Sequence, residues 1–385
     1  MSEVYDVAVV GAGPAGSMTA LTVSRGGYKT ILIEEHPEIG IPLACGEGMS
    51  REWLSKFVTP KPSWIASTID GARFYSPSGR SFKVSYPGVG YILERKIFDR
   101  DLASLAASAG CEVRVGTRAI GLTDNGIQTN RGEVKAKLIV GADGIGSRVA
   151  KWAGIDARIG RGDLWSAYEY LLGGVDVTLG EVEFIIGREI APGGYGWVFP
   201  KGDGLANVGV GVYPLISKKP PKFFVEKLLE WRFKKYSILS TYKSVLPSKA
   251  LKNLVKDNVC IVGDAARLVD PISGGGIGNA LLSGKLAGKS CASAIKSNNI
   301  SKLKQYEKEW LKEEGRNFRF KFKVRDVFMK LKDSDLELLF DFGVKNFEGK
   351  PITQINEFEL IKNIITFSPK FLKLGFHLLT TDEHR

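Results

Sequence analysis

The sequence predicts an α/β protein in which a parallel nucleotide-binding sheet is interrupted by a β-rich insertion and followed by a helical C-terminal portion. Three observations carry that expectation. Residues 4–10 form a short, β-branched apolar run ending at Gly11, as suits a strand buried on both faces of a parallel sheet. Two later runs, Lys137–Gly141 and Asn258–Val262, have the same character and end in Ala142-Asp143 and Gly263-Asp264. The first and last strands lie about 250 residues apart, so the sheet has to close around an inserted unit.

Element by element, a helix is expected from Pro14 to Ser24, with Pro in the first turn where its missing N–H costs least. Gly26-Gly27 stops it, and Lys29–Glu34 reads as the second strand. The turn Ser76-Pro77-Ser78-Gly79 separates two strand-like runs. A helix from Lys96 to Ser108 leads into a meander with turns at Asp124-Asn125-Gly126 and Arg131-Gly132. Residues 163–213 are strand-rich, Lys218-Lys219-Pro220-Pro221 breaks the pattern, and a helix runs from Gly276 to Ser297. The expected division is 1–70, 90–160 and 250–298 for the nucleotide-binding domain, 71–89 and 161–249 for the β-rich domain, and 299–385 for the helical region.

Composition narrows the class of protein. The 385 residues are 44% hydrophobic and 25% charged, which are globular values. Four cysteines are too few and too scattered for a disulfide framework or an iron–sulfur motif, and three histidines make a metal site unexpected. The 18-residue uncharged run Val7–Ser24 carries Gly11, Gly13, Pro14 and Gly16, which would break a spanning helix. An acidic N-terminus does not resemble a signal peptide, so a cytoplasmic location is expected.

Gly11-Ala12-Gly13-Pro14-Ala15-Gly16 fits the G-x-G-x-x-G pattern between a strand and a helix. Gly11 permits the tight turn, Gly13 lets a pyrophosphate approach the backbone, and Gly16 packs helix against strand. The helix N-terminus adds free N–H groups and positive potential. Glu34, 18 residues after Gly16, ends the second strand where a carboxylate holds a ribose 2′-OH and repels a 2′-phosphate. Asp143, in the segment Gly141–Arg148, is counted among the cofactor-binding residues. Asp264 and the Gly274-Gly275-Gly276-Ile277 helix start place a second carboxylate and a second helix N-terminus near one site. A carboxylate suits a ribitol hydroxyl, which NAD lacks, so the expected cofactor is FAD.

These motifs, in this order, resemble the FAD-dependent para-hydroxybenzoate hydroxylase-like superfamily over residues 4–298, and imply its Rossmann-like FAD-binding domain. Within it, Pro42-Leu43-Ala44-Cys45-Gly46-Glu47-Gly48 and Pro192–Gly202 resemble the signatures of archaeal geranylgeranyl reductases. The resemblance implies FAD contacts from Ala15, Glu34, Cys45, Gly46, Gly48, Arg95, Ala119, Asp264, Gly276 and Ile277. It also implies a lipid cavity lined by Tyr195, Trp197 and Phe199. Spaced i, i+2, i+4, these three project from one face of a strand; ordinary core packing would give the same pattern. Cys45 stands in a loop, where a cysteine is either simply buried or, as the resemblance suggests, catalytic. Flavin halogenases carry Trp-x-Trp-x-Ile-Pro, from which Tyr195 and Phe199 depart.

The implied activity is reduction of C=C bonds in geranylgeranyl chains of archaeal ether phospholipids, with hydride from reduced flavin N5 and a proton from the protein. Cys45 is the candidate for proton donor or for positioning. A flavin monooxygenase is the alternative. The electron donor is NAD(P)H bound transiently or reduced ferredoxin docked outside. Net charge is +12, and residues 217–256 hold eleven cations against Glu226 and Glu230. No nucleic-acid motif accompanies them, so peripheral contact with an anionic membrane is expected. Phe224, Leu228 and Trp231 are spaced to share one helix face. Phe367–Leu379, mixing aromatic and basic residues, has the composition of an interfacial helix.

Overall fold

The computed structural model describes residues 3–247, 249–350, 352, 363 and 364. The stretch Phe367–Leu379 lies outside them. Two eight-stranded sheets organise the chain. In the first, Val4–Val10 is flanked in parallel by Gly132–Gly141 and Thr30–Ile33; Val259–Ile261 adds outside the former and Glu112–Arg114 outside the latter. Val10 is level with Ile33 and with Gly141, which is level with Ile261. The residues that follow each strand therefore leave the sheet along one edge, the carboxyl end where ligands bind in open α/β sheets. The hairpin Ala119–Thr123 and Gly126–Thr129 joins this sheet antiparallel, through the expected turns.

Helix Pro14–Arg25 packs closely on helix Ile277–Lys296 because glycines stand at the crossing. A Cβ on Gly284 would lie 2.4 Å from the Ala15 carbonyl oxygen, and one on Gly288 2.6 Å from Thr22 Cβ. Helix Arg95–Ser108 also packs against Pro14–Arg25, burying Phe98, Leu102 and Ala106.

The second sheet runs Ser237–Pro247, Leu164–Gly173, Leu205–Val212, Gly196–Gly202, Glu181–Ile185, Ile65–Tyr75, Ser81–Leu93, Gly48–Ser50. It reaches beyond the segments 71–89 and 161–249, because Ile65–Tyr75 pairs along its length with Ser81–Leu93 and Gly48–Ser50 pairs with the far end of the latter. The sheet is two-faced. Tyr168, Tyr170, Val198, Val208 and Val210 pack under helix Pro221–Arg232, and Ala167, Glu169, Trp197, Phe199 and Gly211, which alternate with them, face a cavity.

That helix buries Phe224, Val225, Leu228 and Leu229, whereas Trp231 is 46% exposed. The expected face is therefore rotated. At 100° per residue the buried stripe centres between Leu228 and Val225, which leaves Trp231 at its margin, edge-on to Tyr75. The C-terminal helices Arg316–Phe328 and Asp333–Phe347 cover the second sheet, with Arg80 paired to Glu337 and Asp341. Among the described residues no helix is long and apolar enough to cross a membrane, and no group of three His, Cys, Asp or Glu is placed to hold a metal ion.

Candidate active site

A cavity of about 1130 Å³ lies between the carboxyl edge of the first sheet and the open face of the second. At the first sheet it is lined by Gly11, Gly13, Ala15, Glu34, Ala119 and Asp143. Cys45, Gly46, Gly48, Arg95, Asp264, Gly276 and Ile277 line it further on, and Tyr195, Trp197 and Phe199 form part of its wall on the second sheet. Every residue expected at the site thus faces this cavity except Gly16. There a Cβ would lie 1.9 Å from the Gly11 carbonyl oxygen, so Gly16 serves the turn and the helix contact instead.

The nucleotide end is built as a cradle. Gly11 adopts φ +99°, and a Cβ there would strike the Ala142 carbonyl oxygen at 2.3 Å. Around the position of a Gly13 Cβ there is nothing within 4 Å, which leaves the backbone open to a ligand. Glu34 accepts from the Ala12 N–H at 2.9 Å and the His36 N–H at 3.0 Å, fixing its carboxylate at the end of the second strand. Asp143 lines the cavity while its carboxylate is tied within the following loop. One oxygen accepts from Ser147 Oγ at 2.6 Å and the other from the Arg148 and Val149 N–H groups at 2.7 and 3.0 Å. Its carboxylate thus satisfies the first N–H groups of helix Arg148–Trp152 beside the N-cap Ser147.

Asp264 lies within the fold but is exposed to the cavity. Burial raises its pKa, while the Arg95 charge opposes the rise. Arg95 is held by Asp99 through bonds of 2.8 and 2.7 Å. Asp270 shapes the glycine loop, accepting from the Ile272 and Ser273 N–H groups, and holds Lys321 at 2.8 Å. The loop ends at the N-terminus of the 20-residue helix Ile277–Lys296, which has no side-chain cap. These free N–H groups, Asp264, Glu34 and the glycine cradle fit the phosphates and two polyol ends of FAD.

Cys45-Gly46-Glu47-Gly48 joins the two halves of the site. A Cβ on Gly46 would lie 3.2 Å from the Phe199 ring and 3.3 Å from Trp197 Nε1, so the loop lies directly on the aromatic strand. Glu47, fully buried, is its anchor. It accepts from the Arg95 N–H at 2.9 Å, from Lys201 Nζ at 2.5 Å and from Asn207 Nδ2 at 2.7 Å. Lys201 also pairs with Glu94 at 3.1 Å. Burial alone would lower the Lys201 pKa, but these two carboxylates raise it. Cys45 Sγ accepts from the Glu47 N–H at 3.2 Å. Burial pushes the thiol pKa up against the pull of Arg95, so it remains protonated at neutral pH.

Tyr195, Trp197 and Phe199 stand side by side, their ring centroids 5.9 and 6.4 Å apart in turn, with Phe184 against Tyr195 and Phe199. The Tyr195 hydroxyl donates to the Ser273 carbonyl, tying this strand to the glycine loop. Trp165, Phe328 and Met329 extend the wall. Gly209 lies under the Trp197 indole, where a Cβ would meet Cζ2 at 2.2 Å. Sequence reasoning overlooked Glu47, Lys201, Asn207 and Gly209 as parts of the site, and also Glu169, which accepts from Trp197 Nε1 at 3.2 Å. A lone acid within the apolar run Ala167–Leu172 was the available signal for Glu169.

The geometry agrees with the comparisons. Residues 6–167 match the FAD dependent oxidoreductase family, and residues 163–245 match the geranylgeranyl reductase catalytic domain. Digeranylgeranylglycerophospholipid reductase from Methanosarcina acetivorans is 44% identical over 361 residues, 89% of each chain. The chain belongs to this reductase family. The relative of the same description from Methanothrix thermoacetophila is 39% identical, covering 97% of this chain and 99% of its own. The crystal structure of a geranylgeranyl bacteriochlorophyll reductase-like protein from Thermoplasma acidophilum superposes with a TM-score of 0.91 at 36% identity, covering 98% of this chain and all of that one. A point mutant of halogenase PltM in complex with FAD gives a TM-score of 0.68 at 18% identity, with 97% of this chain and 85% of that one covered, and shares the fold alone. FAD is the cofactor of the family, and the cradle described above suits it.

Proposed function

We propose that the chain reduces C=C bonds of geranylgeranyl chains on an archaeal ether phospholipid, with FAD as its redox cofactor. The observation that carries this reading is the single cavity in which a dinucleotide cradle meets a wall of adjoining aromatic rings across the Cys45–Gly48 loop. Reduced FAD, when bound, supplies the hydride. The protein has to do the rest, since no carbonyl polarises an isolated alkene. Trp197, Tyr195 and Phe199 hold the chain by apolar contact, and their ring faces favour positive character developing on the alkene. The aromatic wall offers the alkene an apolar surface. Incubating the reduced protein anaerobically with a geranylgeranyl lipid should add two hydrogens per double bond by mass spectrometry. An added oxygen atom in aerobic turnover, with no such gain, would instead support a monooxygenase.

Cys45 lines the cavity in the loop between the nucleotide cradle and the aromatic strand, which supports a positioning role for its protonated thiol toward cofactor or alkene. Cys45→Ser should retain FAD and fold normally while reducing the lipid at least tenfold more slowly, read by single-turnover product formation. Wild-type turnover in that variant would make Cys45 part of the wall and nothing more. The electrons come from NAD(P)H or reduced ferredoxin, and flavin bleaching by each donor distinguishes them.

The lipid reaches the cavity from a membrane surface. Helix Pro221–Arg232 and the strand after it expose Phe223, Trp231, Ile238 and Leu239 beside Lys218, Lys219, Lys222, Lys234 and Lys235. Each cation near an anionic surface contributes about 1 kcal/mol. Co-sedimentation with anionic vesicles is expected, declining as salt screens the charges, with little binding to neutral vesicles. Equal binding to both would reject electrostatic contact.

A further inference from the structure

Glu169 occupies the middle of strand Leu164–Gly173, whose neighbours Tyr168 and Tyr170 point away into the core while Trp165, Ala167 and Glu169 line the cavity. It is 4% exposed. Burying a carboxylate without a cation is costly, and Glu169 has no ion pair among the described residues. Trp197 Nε1 donates to Oε2, and Oε1, shut off from solvent, has no hydrogen-bond partner among the described residues. The groups around it do not favour charge. Gly209 and Tyr242 stand opposite it on the neighbouring strands, Cys45 is within electrostatic reach, and Lys201 is already held by Glu47 and Glu94. Burial therefore pushes the carboxyl up to about 8, with the Glu47 charge adding to the rise and Trp197 and Lys201 opposing it.

We propose that Glu169 is the catalytic acid of the alkene reduction, giving its carboxyl proton to one carbon of the double bond. This rests on the reductase reading above. The π bond breaks; one carbon takes the hydride supplied by reduced FAD, which is thereby oxidised, and the other takes the proton as the Glu169 O–H bond breaks. Glu169 is left as a carboxylate, to be reprotonated from solvent after the product leaves. The terminal torsion of Glu is soft, so the carboxyl rotates readily to present its proton. Compared with Cys45, whose thiol burial has made a weaker acid, Glu169 is both protonated at neutral pH and the readier donor.

The test is Glu169→Gln, whose amide oxygen still accepts from Trp197 but which has no acidic proton. In FAD-loaded protein without substrate, an infrared C=O band of a protonated carboxyl should be present in wild type, vanish as pH rises through about 8, and be missing from the variant. Thermal stability gives a second readout. The folded carboxyl holds its proton up to about pH 8 and the unfolded one releases it near 4.5, so wild type should lose melting temperature relative to the variant across that window. Single-turnover reduction should fall about 10²–10⁴-fold in the variant while flavin reduction by the donor is unchanged. A wild type that leaves the lipid unreduced defeats the reductase reading, and the proposal with it. An active wild type matched by Glu169→Gln, or the absence of the titrating band, defeats the proposal alone.

Discussion

Gly16→Ala is expected to purify without flavin. The added Cβ would lie 1.9 Å from the Gly11 carbonyl oxygen and 3.0 Å from Ala142 Cβ. A backbone oxygen cannot turn aside as a side chain does, so the strand–helix turn has to open. Overpacking of this kind costs about 1–3 kcal/mol. Opening the turn also displaces the Gly11–Gly13 backbone and the helix N-terminus that face the pyrophosphate. FAD affinity should fall by at least 100-fold, measured by flavin absorbance and titration of the purified protein. Gly13→Ala separates the two effects. With nothing within 4 Å of its Cβ, it should keep the melting temperature of the cofactor-free protein and lose only affinity. A Gly16→Ala protein with wild-type FAD affinity would show that the turn yields without disturbing the cradle.

What the sequence made legible depended on how local each signal was. The parallel strands announced themselves through β-branched runs ended by glycine, and the ends of Val4–Val10, Gly132–Gly141 and Val259–Ile261 do lie level. Period-2 spacing put the three rings on one face of a strand, and the resemblance made that face a cavity wall; Val198 is directed into the core between Trp197 and Phe199. Groups defined by distant partners were not legible. Glu47 meets Lys201 across 154 positions and Asn207 across 160. Glu169 stands in the sequence as a lone acid in an apolar run, but its partner is Trp197, 28 residues on, which lies over Gly209 to reach it. Asp143 belongs to a recognisable motif, but only the structure shows its carboxylate capping the next helix. Trp231 shows a subtler limit: helical spacing fixes which residues share a face, and leaves open how that face is rotated against the sheet.

Glu47→Ala should destabilise the protein by roughly 3–5 kcal/mol, because breaking a buried ion pair from one side leaves its partner uncompensated. The residual Lys201–Glu94 contact, on the more open side, places the expected loss near the lower end of that range. The Arg95 N–H and Asn207 amide lose an acceptor as well, so the Cys45–Gly48 loop should detach from the aromatic strand and FAD should bind more weakly. Denaturant unfolding of the cofactor-free protein reads the first effect, and FAD titration the second. Glu47→Gln is the finer probe, since it keeps the size of the side chain and one acceptor oxygen while removing the charge. Glu47 raises the Glu169 pKa, while the positive charge on Lys201, which would then lose its buried partner, lowers it. Both changes favour the Glu169 carboxylate. The alkaline limb of alkene reduction, expected near pH about 8 in wild type, should therefore move to lower pH in Glu47→Gln while the flavin remains bound. A limb that stays in place would mean that the ionisation limiting the reaction is not that of Glu169. A Glu47→Ala protein as stable as wild type would mean that the loop is held by its backbone contacts rather than by this carboxylate.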